Sequence, residues 1–211
     1  MGLVYLRELD SKAKFALWKI EESAEELLQK LKLDAQEQAK LDSLSKGKRT
    51  LHWLATRVLL RYLLKTEDYI ACPSDENGKP FLPDYPYAIS LTHSYDYAGV
   101  MLNLQGECGM DLEIVKDKVL RIQEKFLKAE ELAFIPENHI EQLYACWCAK
   151  EAIYKLQGNR GVSFLENMTI APFTYTDQGV LELRLESEHN NRSYQVFYEK
   201  FGNYMLGYAV E

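Results

Sequence analysis

The stretch WCAKEAIYK, Trp147 to Lys155, has an upstream echo in WLATRVLLR, Trp53 to Arg61. In each, tryptophan comes first, alanine third, a charged residue fifth and a basic residue ninth, a short match that hints at two related halves. Around the later copy, Asn138 with Glu141 predicts a capping box, and Gly158 a C-terminal stop, for a helix through Leu156. Around the earlier copy, Leu51, Leu54, Ala55, Val58 and Tyr62 mark the buried face of a long helix. Its other face carries Arg57, Arg61 and Lys65, each four residues apart, and on its own reads as a solvated face.

Outward from these helices the pattern alternates. Lys14 to Trp18 reads as a strand, Glu21 to Leu33 as a helix, and Asp34 with Glu37 as the capping box of a helix running to Leu44. A basic turn, SKGKRT, precedes the long helix, and four of the six prolines fall between Cys72 and Pro86 in an irregular connection. YAISL, YAGVMLNL, a turn at Gln105-Gly106 and ECGMDLEI read as sheet with a hairpin. Val119 to Phe134 is helical in pattern, and LELRLES, YQVFYE and YMLGYAV alternate as three strands. The expected class is α+β, with an N-terminal half at residues 1–104 and a C-terminal half at 105–211.

Composition narrows the function. The 211 residues are 47% hydrophobic, enough for a substantial core. Charges at Arg7, Glu8, Asp10, Lys12 and Lys14 interrupt any secretory apolar run, and no stretch reaches membrane-spanning length, so a cytoplasmic location is expected. The net charge of -7 argues against nucleic acid or anionic membrane as partners and requires a local basic patch for any anionic ligand. Cys72, Cys108, Cys146 and Cys148 lack zinc-finger spacing to histidine and read as buried free thiols.

Chemistry-bearing residues cluster late in the chain. Asp111 and Glu113 stand two apart in a strand, so their carboxylates leave one face of the sheet. Such a pair suits hard Mg²⁺, with Glu151 as a third ligand, although a D-x-E strand is also an ordinary polar face. Trp147, Glu151 and Lys155 form one stripe: a carboxylate able to bind metal or take a proton, and an ammonium able to hold phosphate. His93, in SLTHSYD, is read as a loop residue able to donate to a phosphate, or as simply solvated. Without a G-x-S-x-G elbow, Ser90, His93 and Asp96 do not make a hydrolase triad.

Taken together, GKPFLP (Gly78 to Pro83), ISLTHS (Ile89 to Ser94), CGMDLE (Cys108 to Glu113), Phe126 with Glu130, and WCAKEAIYK resemble the Sfp-type 4′-phosphopantetheinyl transferase family over about residues 48 to 170. The resemblance implies a pseudo-two-fold α+β fold of two similar α/β halves with the active site between them. It implies transfer of 4′-phosphopantetheine from coenzyme A to a serine of an apo acyl or peptidyl carrier protein, releasing 3′,5′-ADP. Mg²⁺ would be held by Asp111, Glu113 and Glu151, and the phosphates contacted by Lys155 and His93, with Lys150 a further basic neighbour. Glu151 is the candidate base and Glu130 the fallback. Arg49, Arg57 and Lys48 are offered from charge for the 3′-phosphate, and Leu127 departs from the small polar residue usual after the family's phenylalanine. A monomer is expected by the same resemblance. The rival readings are a Mg²⁺-dependent phosphohydrolase of a nucleotide pyrophosphate and a non-enzymatic coenzyme A binding module.

Overall fold

The structure, a computed structural model, describes residues 2–44, 47–188 and 191–211. Ser45 and Lys46, within the expected basic turn, lie outside the described residues. The chain forms two units, one from the residues up to Asp75 with Pro80–Gly106, the other from Glu76–Lys79 with Glu107–Glu211. Together they make an α+β chain with two antiparallel sheets.

In the first unit β1 (Leu3–Glu8), β2 (Ala13–Lys19), β3 (Ala88–Ser94) and β4 (Tyr97–Asn103) form a sheet in the order β1-β2-β4-β3. The expected strand at Lys14 to Trp18 is thus present within β2, and β1 before it was not anticipated. Of the expected helix from Glu21 to Leu33 only α1 (Ala24–Leu28) forms. It starts at a capping box in which the Ser23 hydroxyl and the Glu26 carboxylate each accept the other's backbone N–H. Helix α2 (Ala35–Ser43) starts at Asp34, whose carboxylate accepts the Glu37 N–H at 2.7 Å. Helix α3 (Lys48–Leu64) buries Leu54, Ala55, Val58 and Leu59 against Ala16 and Trp18 of β2 and Val100 and Leu102 of β4. Each such large apolar side chain contributes about 1.5–3 kcal/mol on leaving water.

The opposite face of α3 is not the solvated stripe that its basic residues predict. Arg61 is buried, donating to the Lys30 carbonyl and to Glu67 at 3.1 Å. Arg57 lies flat over Trp53, 3.6 Å from the ring centroid, and pairs with Glu37 at 3.2 Å. Lys65 ends the helix in the left-handed conformation.

In the second unit β5 (Cys108–Ile114) leads, through 3₁₀ turns at Asp117–Arg121 and Gln123–Lys125, to the single-turn α4 (Ala129–Leu132). Helix α5 (Ile140–Gln157), the short α6 (Phe164–Asn167) and strands β6 (Met168–Ile170), β7 (Gln178–Glu186), β8 (Asn191–Phe201) and β9 (Tyr204–Val210) follow. The sheet order is β5-β9-β8-β7-β6, all antiparallel. The hairpin expected near Gln105-Gly106 is instead formed by β3 and β4 around Tyr95, and Gln105-Gly106 stands between strands of different sheets. The expected continuous helix from Val119 to Phe134 is broken as well, into the 3₁₀ turns and α4, and between them the Phe126 carbonyl accepts from the Lys150 side chain.

Helix α5 begins one residue later than the Asn138 capping box predicts: His139 is the cap, its Nδ1 accepting the Gln142 N–H at 3.1 Å. It ends at Gly158, whose φ of 71° suits glycine. Ala145, Cys148, Ala149 and Ala152 keep the buried face small, so backbone can meet backbone. A Cβ on Gly109 of β5 would lie 1.8 Å from the Ala152 carbonyl oxygen, and one on Gly207 of β9 would lie 2.8 Å from the Cys148 backbone. Two glycines in adjacent strands thus let α5 sit directly on the sheet.

Candidate active site

The close seating of α5 on β5 brings opposite charges together. The Lys155 ammonium donates to Asp111 Oδ1 at 2.7 Å and to the Met110 carbonyl at 3.0 Å. Asp111 is 8% exposed at the side chain and Lys155 26%, so the pair is only partly shielded from water. Asp111 pairs with Gly207 across the sheet and Glu113 with Met205, leaving both carboxylates on one face as the alternation requires.

One turn before Lys155, Glu151 has its carboxyl pushed up to about 7, first by burial and then by the charges of Asp111 and Glu113, with Lys155 opposing. The same two carboxylates, together with burial, push the Cys148 thiol far above its ordinary range. Three acids and one ammonium therefore share one strand–helix junction.

Lys79 braces the far end of that junction. Its ammonium donates to Glu107, just before β5, and to the Leu156 carbonyl in the last turn of α5, each at 2.5 Å. It thus ties the start of the strand to the end of the helix. Its place in GKPFLP is the only signal the sequence carries, and nothing there shows that it reaches a helix end.

Lys150 does not face this junction, and its expected role as a phosphate neighbour is corrected. The side chain is fully buried, and its ammonium lies 2.8 and 2.9 Å from the two Glu131 oxygens. It also donates to the carbonyls of Phe126, Phe164 and Met168 at 2.7, 3.1 and 3.0 Å. Surrounded in this way, the ammonium has no reach toward an external ligand. Glu131 completes the knot by accepting the N–H groups of Lys128 and Ile170 at 2.8 and 2.9 Å. Its neighbour Glu130, the fallback base that the family resemblance implies, is exposed on α4, whereas Glu131 is the buried acid. The available hint was the spacing Lys128-x-x-Glu131, which suits an N-terminal turn closed by an acid.

The remaining candidates lie in the first unit. His93 is within β3, paired with Ala98, rather than in a loop after the strand; it is exposed, and its ring stacks on His52 of α3. Lys48 pairs with Asp96 at 3.3 Å and covers the Tyr95 ring, while Arg49 is exposed in the first turn of α3. Arg57, already engaged by Glu37 and Trp53, is removed from the candidate ligand contacts. His52 was missed altogether, because its partners lie about forty residues away and no local pattern joins them.

The donor chemistry at the junction is that of a hard cation: carboxylate oxygens, one of them on a carboxyl that burial and then its acidic neighbours push up to about 7. Among the described residues, no group of three or more His, Cys, Asp or Glu side chains is placed so that it could hold a metal ion. Carboxylate oxygens are the donor type that Mg²⁺ takes, with waters and substrate oxygens making up the rest of its shell.

Fold and site together define an α+β chain whose second unit opposes acids on a strand to an acid and an ammonium on a helix. Residues 107–209, which hold that junction, match the family model of the 4′-phosphopantetheinyl transferase superfamily. The chain is similar to the 4′-phosphopantetheinyl transferase AcpT of Escherichia coli K12, 34% identical over 122 residues, or 53% of this chain and 60% of the relative. It also resembles a putative 4′-phosphopantetheinyl transferase of Haemophilus influenzae, 29% identical over 104 residues (46% of this chain, 44% of the relative). A third, from Synechocystis, is 27% identical over 146 residues (62% and 58%). The chain thus spans about three fifths of the length of the Escherichia coli relative.

Proposed function

We propose that this chain transfers 4′-phosphopantetheine from coenzyme A to a serine hydroxyl of an apo acyl or peptidyl carrier protein, releasing 3′,5′-ADP. The observation that carries the reading is the contact of Lys155 with Asp111 at 2.7 Å beside a Glu151 whose carboxyl titrates near 7. That cluster falls inside the segment that matches the superfamily. The two units, each a long helix on an antiparallel sheet, are read as related halves.

In this reading Asp111, Glu113 and Glu151 would hold Mg²⁺, whose charge when bound neutralises the pyrophosphate oxygens. The serine oxygen attacks the β-phosphorus, and the bond from that phosphorus to the bridging oxygen of the leaving 3′,5′-ADP breaks. Lys155 shifts from Asp111 toward the leaving phosphate and stabilises its growing charge. His93 donates to a phosphate oxygen, and Lys48 and Arg49 serve the 3′-phosphate. A carboxyl that titrates near neutrality is matched to accepting the serine proton, which supports Glu151 as the base. Its two roles compete, since a carboxylate bound to metal is a weaker base.

The test is the intact mass of an apo carrier protein incubated with this chain, coenzyme A and Mg²⁺, with an EDTA control. Gain of one phosphopantetheine, lost in EDTA, is the expected result. Cleavage of coenzyme A without any carrier would replace the reading with that of a phosphohydrolase.

A further inference from the structure

We infer that His52 is a positioning residue for His93; the inference rests on the proposed transferase reading, in which His93 contacts a phosphate. His52 projects from α3, is 8% exposed, and stacks its ring on that of His93 with centroids 4.3 Å apart and planes 11° from parallel. Its Nε2–H donates to the Tyr95 carbonyl at 2.8 Å, which fixes the ring that His93 lies against. The exposed His93 ring thereby meets a flat, anchored platform, and rotation about its side-chain bonds is restricted.

The surroundings favour an organised element over chance packing. Tyr95 holds a φ of 55°, left-handed for a non-glycine residue, in the turn between β3 and β4. Such a conformation is unfavourable for a side chain with a Cβ and persists where neighbours hold it. Here the neighbours are successive turns of α3. Lys48 stands 3.3 Å from the centroid of the Tyr95 ring and 3.3 Å from Asp96 Oδ1, and His52, four residues on, holds the Tyr95 carbonyl. Helix α3 therefore grips the turn that follows His93 and also provides the surface on which the His93 ring rests. A histidine serving only to fill the core would need the carbonyl bond alone; the parallel stack on an exposed ring in the adjoining strand is what assigns His52 to His93.

The experiment is a double-mutant cycle in the full chain, reading the Kd of coenzyme A by calorimetry and the KM and kcat of transfer to an apo carrier. Alanine at His52 should weaken coenzyme A binding about five- to ten-fold with kcat nearly unchanged, and His52→Phe, which keeps a flat ring, should restore most of it. In a His93→Ala background, His52→Ala should have no further effect. Equal effects of His52→Ala with and without His93 overturn the inference, as does unchanged coenzyme A affinity in His93→Ala alone. Should His52→Ala melt early, His52→Gln, which can still donate to Tyr95 but offers no stacking ring, replaces it in the cycle. A wild-type chain that binds coenzyme A but modifies no carrier removes the transferase reading, while the affinity cycle still decides His52.

Discussion

On α3 the fifth and ninth residues of WLATRVLLR are Arg57 and Arg61, and both turn into a cover made by their own unit, meeting Glu37, Glu67 and the Lys30 carbonyl. On α5 the corresponding residues of WCAKEAIYK are Glu151 and Lys155, and both turn toward the acids of β5. The helical frame is similar, with an aromatic first residue and a small third one against a sheet. What differs is the covering: α2 and the segments that follow α1 and α3 supply partners for the charges of α3, whereas the charges of α5 meet a strand that carries its own carboxylates. Charges with a full set of internal partners stabilise a fold, and charges crowded with like neighbours are left with chemistry to do.

The sharpest way to break this comparison is at Asp111. Asp111→Ala should reduce carrier modification by about a thousand-fold or more, comparable to losing a principal charge-stabilising group. The thermal midpoint should stay close to that of the wild type, because loss of the contact with Lys155 is offset by relief of the repulsion that Asp111 exerts on Glu151. Near-normal transfer by this variant would show that the α5 junction is as structural as the α3 cover.

Next comes Lys150, the charged residue of α5 that does behave like those of α3. Lys150→Met leaves Glu131 buried beside carbonyl oxygens and should cost about 3–5 kcal/mol in urea denaturation. Adding Glu131→Gln should recover part of the loss, since an amide oxygen still accepts the Lys128 and Ile170 N–H groups. A Lys150→Met protein as stable as wild type would mean that the knot contributes nothing beyond its packing.

A smaller effect is expected on α3. Arg57→Met keeps the contact with Trp53 and removes the pair with Glu37, both of whose side chains are about one-seventh exposed. The expected loss is about 1 kcal/mol in the urea midpoint, with the KM for coenzyme A within about two-fold of wild type. A large rise in KM without loss of stability would return Arg57 to the ligand contacts that charge alone had suggested.

These contrasts also explain what could be read from the residues beforehand. Alternation put Asp111 and Glu113 on one face, and the spacing of Glu151 and Lys155 put them on one helix stripe; each is a local consequence of strand and helix periods. Helix ends marked by Asp34 and Gly158 were legible because a side-chain acceptor and a left-handed residue are local needs. Local patterns could not reveal what lies over a helix face, so the stripe of Arg57, Arg61 and Lys65 read as solvated. Nor could they reveal that Lys150 would reach the Phe126 carbonyl within a stretch that the apolar spacing alone predicts as helix. Nor could they single out Glu131, since only the long-range approach of Lys150 and Ile170 distinguishes it from the adjacent Glu130.

The least effect, and the one that most directly weighs burial against pairing on α3, is the pH response of Glu37. Its carboxyl sits above the ordinary value of 4.5 because burial outweighs the attraction of Arg57. A carboxyl raised in the folded state favours folding while it is protonated. Its contribution is therefore full below 4.5 and is lost as pH rises through the higher folded value. Glu37→Gln removes that titration and keeps the shape, so the variant should lose slightly less stability than wild type as pH rises above 4.5, read from urea midpoints at each pH. The opposite slope, with wild type gaining on the variant as pH rises, would show that Arg57 overcomes burial. The cover of α3 would then be held by a net-favourable ion pair rather than by the apolar surface that its charges happen to line.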